Sequence, residues 1–128
     1  MAIIEDNVKL ALKAWMESEG YTSIDYKLGT RAGYDVEGVN PSTGRRLVIE
    51  CKGEARTGKQ FPRSWGNTAT AVLTSLIEKE NPSVDNDVGI AFPDTEDYQL
   101  RMKHLKKLFS RENIFVFWVS EGGTVRRW

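Results

Sequence analysis

Cysteine and histidine are nearly missing from the sequence, which holds only Cys51 and His104. A lone thiol excludes an internal disulfide framework, and one Cys with one His cannot supply the four soft ligands of a structural zinc site. The unpaired thiol also fits a reducing compartment, so a cytoplasmic location is expected. No apolar run approaches the roughly 20 residues of a membrane-spanning helix. Met1 to Asn7 carries two acids and no basic segment, so neither a targeting signal nor a membrane partner is expected. Net charge is also absent, since 18 Lys and Arg balance 18 Asp and Glu. That argues against a protein that coats nucleic acid through overall charge.

The remaining composition, 40% hydrophobic and 28% charged, lies far from the disordered and fibrous classes. A chain of 128 residues can bury a real core, and one domain over 1–128 is expected. Charge is unevenly spread. Tyr98 to Arg111 holds Arg101, Lys103, Lys106, Lys107 and Arg111 without an acid, while acids gather between Asp85 and Asp97. A positive face is compatible with overall neutrality.

Ile4, Val8, Ala11, Leu12 and Trp15 share one helical face, which predicts a first helix ending near Gly20. Ser23 to Leu28 reads as a short strand and Gly29 to Gly33 as a turn. Tyr34 to Val39 and Arg45 to Cys51 read as strands. Asn40, Pro41, Ser42, Thr43 and Gly44 between them form a dense turn signal, so the two should make a hairpin. After a loop at Arg56 to Arg63, a second helix is expected to carry Ala69, Val72, Leu73, Leu76 and Ile77 on one apolar face and to stop before Asn81 and Pro82.

Val88 to Phe92 and Ile114 to Val119 are continuous apolar runs, as expected of strands covered on both faces. A third helix between them should start near Asp94 and Thr95 and bury Tyr98, Met102, Leu105, Leu108 and Phe109. This predicts a parallel crossover, and Thr124 to Trp128 reads as a short final strand. The expected class is α/β, a mixed sheet flanked by helices.

The hairpin carries the chemistry. A four-residue bend at Pro41 to Gly44 pairs Asn40 with Arg45, Val39 with Arg46 and Asp35 with Glu50. Facing residues of an antiparallel pair share a side at roughly 4.5 to 5.5 Å between Cβ atoms, and Lys52 joins that side by the period of two. Val36, Ile49 and Cys51 then form the core side, with Cys51 a buried, inert thiol. One residue of slip would separate the acids. Two close carboxylates repel unless a cation lies between them. Mg²⁺ suits such a site, because it commonly takes only one or two protein carboxylates and keeps several waters; the backbone carbonyl of Cys51 is a further ligand to consider. The ion would polarise a phosphodiester and activate water, while Lys52 positions the water and stabilises developing charge. The plainer alternative is a salt bridge among polar positions of a half-solvated sheet.

The runs Gly33-Tyr34-Asp35-Val36-Glu37 and Val48-Ile49-Glu50-Cys51-Lys52-Gly53 resemble the PD-(D/E)XK nuclease superfamily, the restriction-endonuclease-like fold, over nearly the whole chain. The resemblance implies a three-layer αβββαβ core and Mg²⁺-dependent hydrolysis of DNA, with Mn²⁺ an expected substitute. It matches Asp35 to the metal-binding aspartate, Glu50 to the second acid and Lys52 to the lysine. Tyr34 stands where many members have proline. Some members add a glutamate from the first helix, for which Glu5 is the match, although Glu5 also suits a helix N-terminus. Small stand-alone bacterial and phage members look most similar, and fold analogy does not choose among their roles. A non-catalytic binding or assembly module with the same fold is the competing expectation.

Arg56, Lys59 and Arg63 follow the motif and could hold a phosphate backbone at the rim of the site. The basic residues of the third helix could do the same, although any amphipathic helix shows a charged outer face. Trp15 and Trp118 fit the core, Trp65 and Trp128 are undecided, and His104 reads as a surface residue. One active site makes one nick, so double-strand cutting would require a homodimer.

Overall fold

The bend at Pro41 to Gly44 closes the hairpin in the expected register. Val36 opposes Ile49, Gly38 opposes Leu47 and Val39 opposes Arg46, while the Asn40 N–H donates to the Arg45 carbonyl at 2.8 Å. In the computed structural model, which describes residues 1–128, the first elements are α1 (Glu5–Ser18), β1 (Thr22–Tyr26), β2 (Val36–Val39), β3 (Arg46–Cys51) and α2 (Gln60–Glu80). They are followed by β4 (Asp87–Pro93), α3 (Glu96–Met102), α4 (Lys106–Arg111), β5 (Ile114–Val119) and β6 (Val125–Arg127). The first six elements follow the αβββαβ order. One six-stranded mixed sheet runs from β1 to β6 in chain order; β3, β4 and β5 are mutually parallel, and the other neighbours are antiparallel.

Strand periodicity makes this sheet the middle of three layers. Leu47, Ile49, Cys51, Ala91, Phe117 and Val119 point to one side, where Val8, Leu12 and Met16 of α1 cover them. The residues between them, Val48, Ile90, Phe92, Val116 and Trp118, point to the other side with Ala71 of α2, Tyr98 and Met102 of α3 and Phe109 of α4. β4 and β5 are buried almost end to end, as their continuous apolar runs require. No helix is long and apolar enough to cross a membrane.

Three expectations are corrected. The third helix is two helices, broken at Lys103 to Leu105. No glycine or proline marks the break, and the hydrophobic spacing continues in phase across it, so the pattern alone does not reveal it. The expected loop ends early, because α2 begins at Gln60 and takes Phe61, Pro62 and Arg63 into its first turn, where a proline's missing N–H costs nothing. The buried face of α2 also differs. Ser64, Thr68, Ala71 and Ser75 face the sheet, Val72 and Leu76 are half-buried, and Ala69, Leu73 and Ile77 face outward. Small side chains seat this helix on the sheet, and the bulkier arc that periodicity selects is left outside.

Candidate active site

Asp35 lies immediately before the first residue of β2. The ladder stops at Val36 opposite Ile49, so Asp35 does not become the cross-strand partner of Glu50 that an extended strand would make it. Its own carbonyl accepts from the Lys27 N–H at 3.0 Å, and its carboxylate Oδ2 accepts from the Cys51 N–H at 2.8 Å. The side chain thus replaces the missing strand as acceptor and is held against the edge of β3. Next along β3, the Lys52 Nζ stands 3.3 Å from Glu50 Oε1, as the period of two predicts, and the Lys52 N–H donates to the Ala91 carbonyl of β4. Side-chain exposures of 17% for Asp35, 28% for Glu50 and 16% for Lys52 leave the three partly sheltered yet reachable from solvent.

A fourth residue, Lys9, joins them with little signal in the sequence. Its side chain is 1% exposed, and its ammonium lies 3.2 Å from Glu5, 3.5 Å from Asp35 and 3.8 Å from Asp6 while donating to the Gly29 carbonyl at 3.3 Å. Lys9 sits at the edge of the apolar arc of α1, four residues after Glu5; that spacing, the only signal it leaves, is common on solvated helices. Burial lowers the Lys9 pKa, but Asp35, Glu5 and Asp6 together outweigh it and hold the ammonium above the ordinary lysine value. Glu5 is therefore brought to the site, and its nearest partner there is an ammonium group.

Gly53 explains how α1 comes so close. A Cβ at Gly53 would lie 2.1 Å from the Glu5 backbone nitrogen, so only glycine lets the start of α1 rest on the chain one residue after Lys52. The Glu54 N–H donates to the Ile3 carbonyl at 2.8 Å beside it. The Gly53 carbonyl accepts from the Tyr98 hydroxyl at 2.7 Å and from the Asn67 amide at 3.2 Å. Elements α1, α2 and α3 thus all meet one position from the lysine.

The charges do not cancel. Glu5, Asp6, Asp35 and Glu50 surround only Lys9 and Lys52, an excess of two negative charges. Burial, then the charge of Asp35, pushes the Glu50 carboxyl above the ordinary glutamate range, and Lys52 only partly offsets this. No group of three or more Asp, Glu, His or Cys side chains is arranged to hold a metal ion, so the protein side chains that could contact a cation here are the paired carboxylates Asp35 and Glu50. Cys51 is wholly buried, and burial drives its thiol well above the ordinary value, as an inert thiol requires.

Arg56, Lys59 and Arg63 are exposed, in the loop after Lys52 and the first turn of α2. None is paired; the arginines that form salt bridges are Arg45, Arg46, Arg111 and Arg126. Lys103, His104, Lys106, Lys107 and Arg111 line one cationic depression around the α3 to α4 turn. Arg101 leaves that group and lies over the rings of Phe61 and Trp65, donating to the Phe61 carbonyl. Trp118 is in the core with Trp128 against it at 5.7 Å, Trp15 is half-buried against Phe117, and Trp65 is 64% exposed. Tyr34 donates to Glu78 at 2.7 Å, tying the segment before Asp35 to the end of α2.

No family model matches the chain, and no curated protein matches it. Two crystal structures are similar in fold. One is an XisH family protein from Nostoc punctiforme, with a TM-score of 0.53 and 13% identity over 96% of this chain and 98% of that one. The other is an fdxN element excision controlling factor protein from Anabaena variabilis, with a TM-score of 0.52 and 14% identity over the same shares. At such identity the likeness establishes the α/β fold along nearly the full length of each chain.

Proposed function

We propose that the chain is a Mg²⁺-dependent nuclease acting on DNA, with Asp35, Glu50 and Lys52 as its catalytic residues. The observation that carries this reading is the gathering of the Asp35 and Glu50 carboxylates with the Lys52 ammonium where β2 and β3 adjoin, close enough for the charge of Asp35 to bear on Glu50. Asp35 and Glu50 would hold the ion together with the Cys51 carbonyl, with Glu5, which shares Lys9 with Asp35, as a further acid on the α1 side. A bound divalent ion supplies polarisation of the phosphodiester and a lower pKa for attacking water. Lys52 orients that water and stabilises the charge that gathers on the phosphoryl oxygens. Lys9 holds Asp35 in place from the buried side, and Arg56, Lys59 and Arg63 provide unpaired cations for the flanking phosphates. That a similarly folded protein is named an excision controlling factor agrees with a role on DNA.

One observation favours a second reading. Both Asp35 oxygens already have partners, Cys51 N–H and Lys9, as they would in a DNA-binding or assembly module that never turns over. Cleavage of plasmid and four-way-junction DNA with and without Mg²⁺ separates the two. Cleavage is expected to require Mg²⁺ and to fall at least about a hundredfold in Asp35→Ala and Lys52→Ala proteins. Activity that survives EDTA or either substitution overturns the nuclease reading, and metal-independent binding without cleavage establishes the module.

A further inference from the structure

The outer face of α2 is built for contact. Phe61, Trp65, Leu73 and Ile77 are 45%, 64%, 60% and 60% exposed, and with Ala69 they form an unbroken i, i+4 row along the helix. Between Gln60 and Ile77 the only charged residue is Arg63, and Arg101 of α3 adds one guanidinium over Phe61 and Trp65, whereas a helix facing water ordinarily carries charge along its outer face. Gly66 lies in the same exposed stretch, and a Cβ there would meet nothing within 4 Å. Nothing within the chain accounts for so poor a helix former at that position. Other large exposed apolar residues, such as Leu10 on α1 and Leu100 on α3, stand singly, which is normal for a protein surface.

We propose that this face pairs two copies of the chain, α2 against α2, antiparallel about a two-fold axis passing near Ala69. Gly66, Ala69 and Thr70 at the centre permit close approach of two helices, and the i, i+4 row supplies the ridge that fits a neighbour's groove. The two-fold operation sets Phe61 and Trp65 of each copy toward Ile77 and Leu73 of the other, an isologous contact. Charge selects the same direction. The approach to the N-terminus carries Arg56, Lys59 and Arg63 without an acid, while the far end carries Glu78 and Glu80 against Lys79 and the negative end of the helix dipole. An antiparallel pair brings Lys59 of one copy toward Glu80 of the other, so in the dimer Arg56 and Arg63 are the cations left for phosphates, whereas a parallel pair would set like ends together. Nucleic acid is a poor occupant, because the half of the row at Leu73 and Ile77 offers no cation to a phosphate backbone.

Sedimentation of the full chain over a concentration series tests this. The expected mass rises from the 14.5 kDa monomer to twice that value. Gly66→Gln adds a side chain into open space, so its circular dichroism should match the parent while its dimer dissociation constant rises at least about tenfold. Lys59→Glu and Glu80→Lys should each weaken the dimer, and the two together should restore it. A monomer at every soluble concentration, or a dimer indifferent to Gly66→Gln and Leu73→Lys, overturns the proposal. A double variant no tighter than its singles overturns the antiparallel arrangement.

Discussion

Helices α1 and α2 lie on opposite faces of one sheet and dispose their polar groups in opposite ways. α1 sends a lysine inward, where Lys9 finds three carboxylates and a carbonyl. α2 sends in only the small hydroxyl residues Ser64, Thr68 and Ser75 and turns Leu73 and Ile77 toward solvent. Ser64 and Ser75 donate back to the carbonyls of Phe61 and Val72, so they place no demand on the sheet. A buried charge with several partners ties α1 to the segments around Gly29 and Asp35, whereas the hydroxyls of Ser64 and Ser75, bonded within their own helix, let α2 serve as a spacer. The same inside-and-outside rule therefore has two exceptions with different causes.

The sharpest break in the comparison is Lys9→Met. It keeps the volume but strands Asp35, Glu5 and Asp6, and is expected to cost about 3 kcal/mol in thermal or urea unfolding. Because the folded-state pKa of Lys9 is raised, its contribution is fully present at neutral pH and is lost only as pH climbs past the ordinary lysine value of 10.5. Parent and variant should thus converge in strong alkali. A smaller effect of the opposite sign is expected on α2, where the Thr68 hydroxyl is buried without a partner. Thr68→Val should gain about 1 kcal/mol in the same measurement, since it removes an unsatisfied group at constant shape.

The smallest effect concerns Glu50, whose pKa is raised by burial and by Asp35. A raised carboxyl opposes folding only where it ionises, so the penalty is absent in acid and appears as pH rises from the ordinary glutamate value to the folded-state one. Without metal, Glu50→Gln should therefore raise the melting temperature by a few degrees at neutral pH and leave it unchanged in acid. Added Mg²⁺ should then stabilise the parent and not the variant. Equal melting at neutral pH would mean that Glu50 carries no electrostatic burden, leaving Lys9 as the site's sole departure from ordinary burial.

Legibility in the sequence followed the range of the forces involved. The hairpin register was readable because Asn40 to Gly44 is a local turn signal and the period of two carries its consequence to Glu50 and Lys52. The inward parity of Val36, Ile49 and Cys51 followed from the same count. The first residue of β2 is not readable, so the pattern predicts a cross-strand position for Asp35, whose carboxylate instead serves as an acceptor for Cys51. The packing faces of α2 were misjudged because periodicity identifies the bulkiest arc, not the arc that the sheet can admit. Lys9 was missed because its partners Asp35 and Gly29 are distant in sequence.

The absence of a side chain at Gly53 has a consequence for how this architecture can vary. Three helices take their bearings from main-chain atoms beside the lysine, so the spatial reference for Lys52 and the acids around it is written into the polypeptide itself. Outer surfaces can then be remodelled over many generations without disturbing that origin, whereas a single methyl added at residue 53 would force the first helix away and carry Glu5 and Lys9 with it.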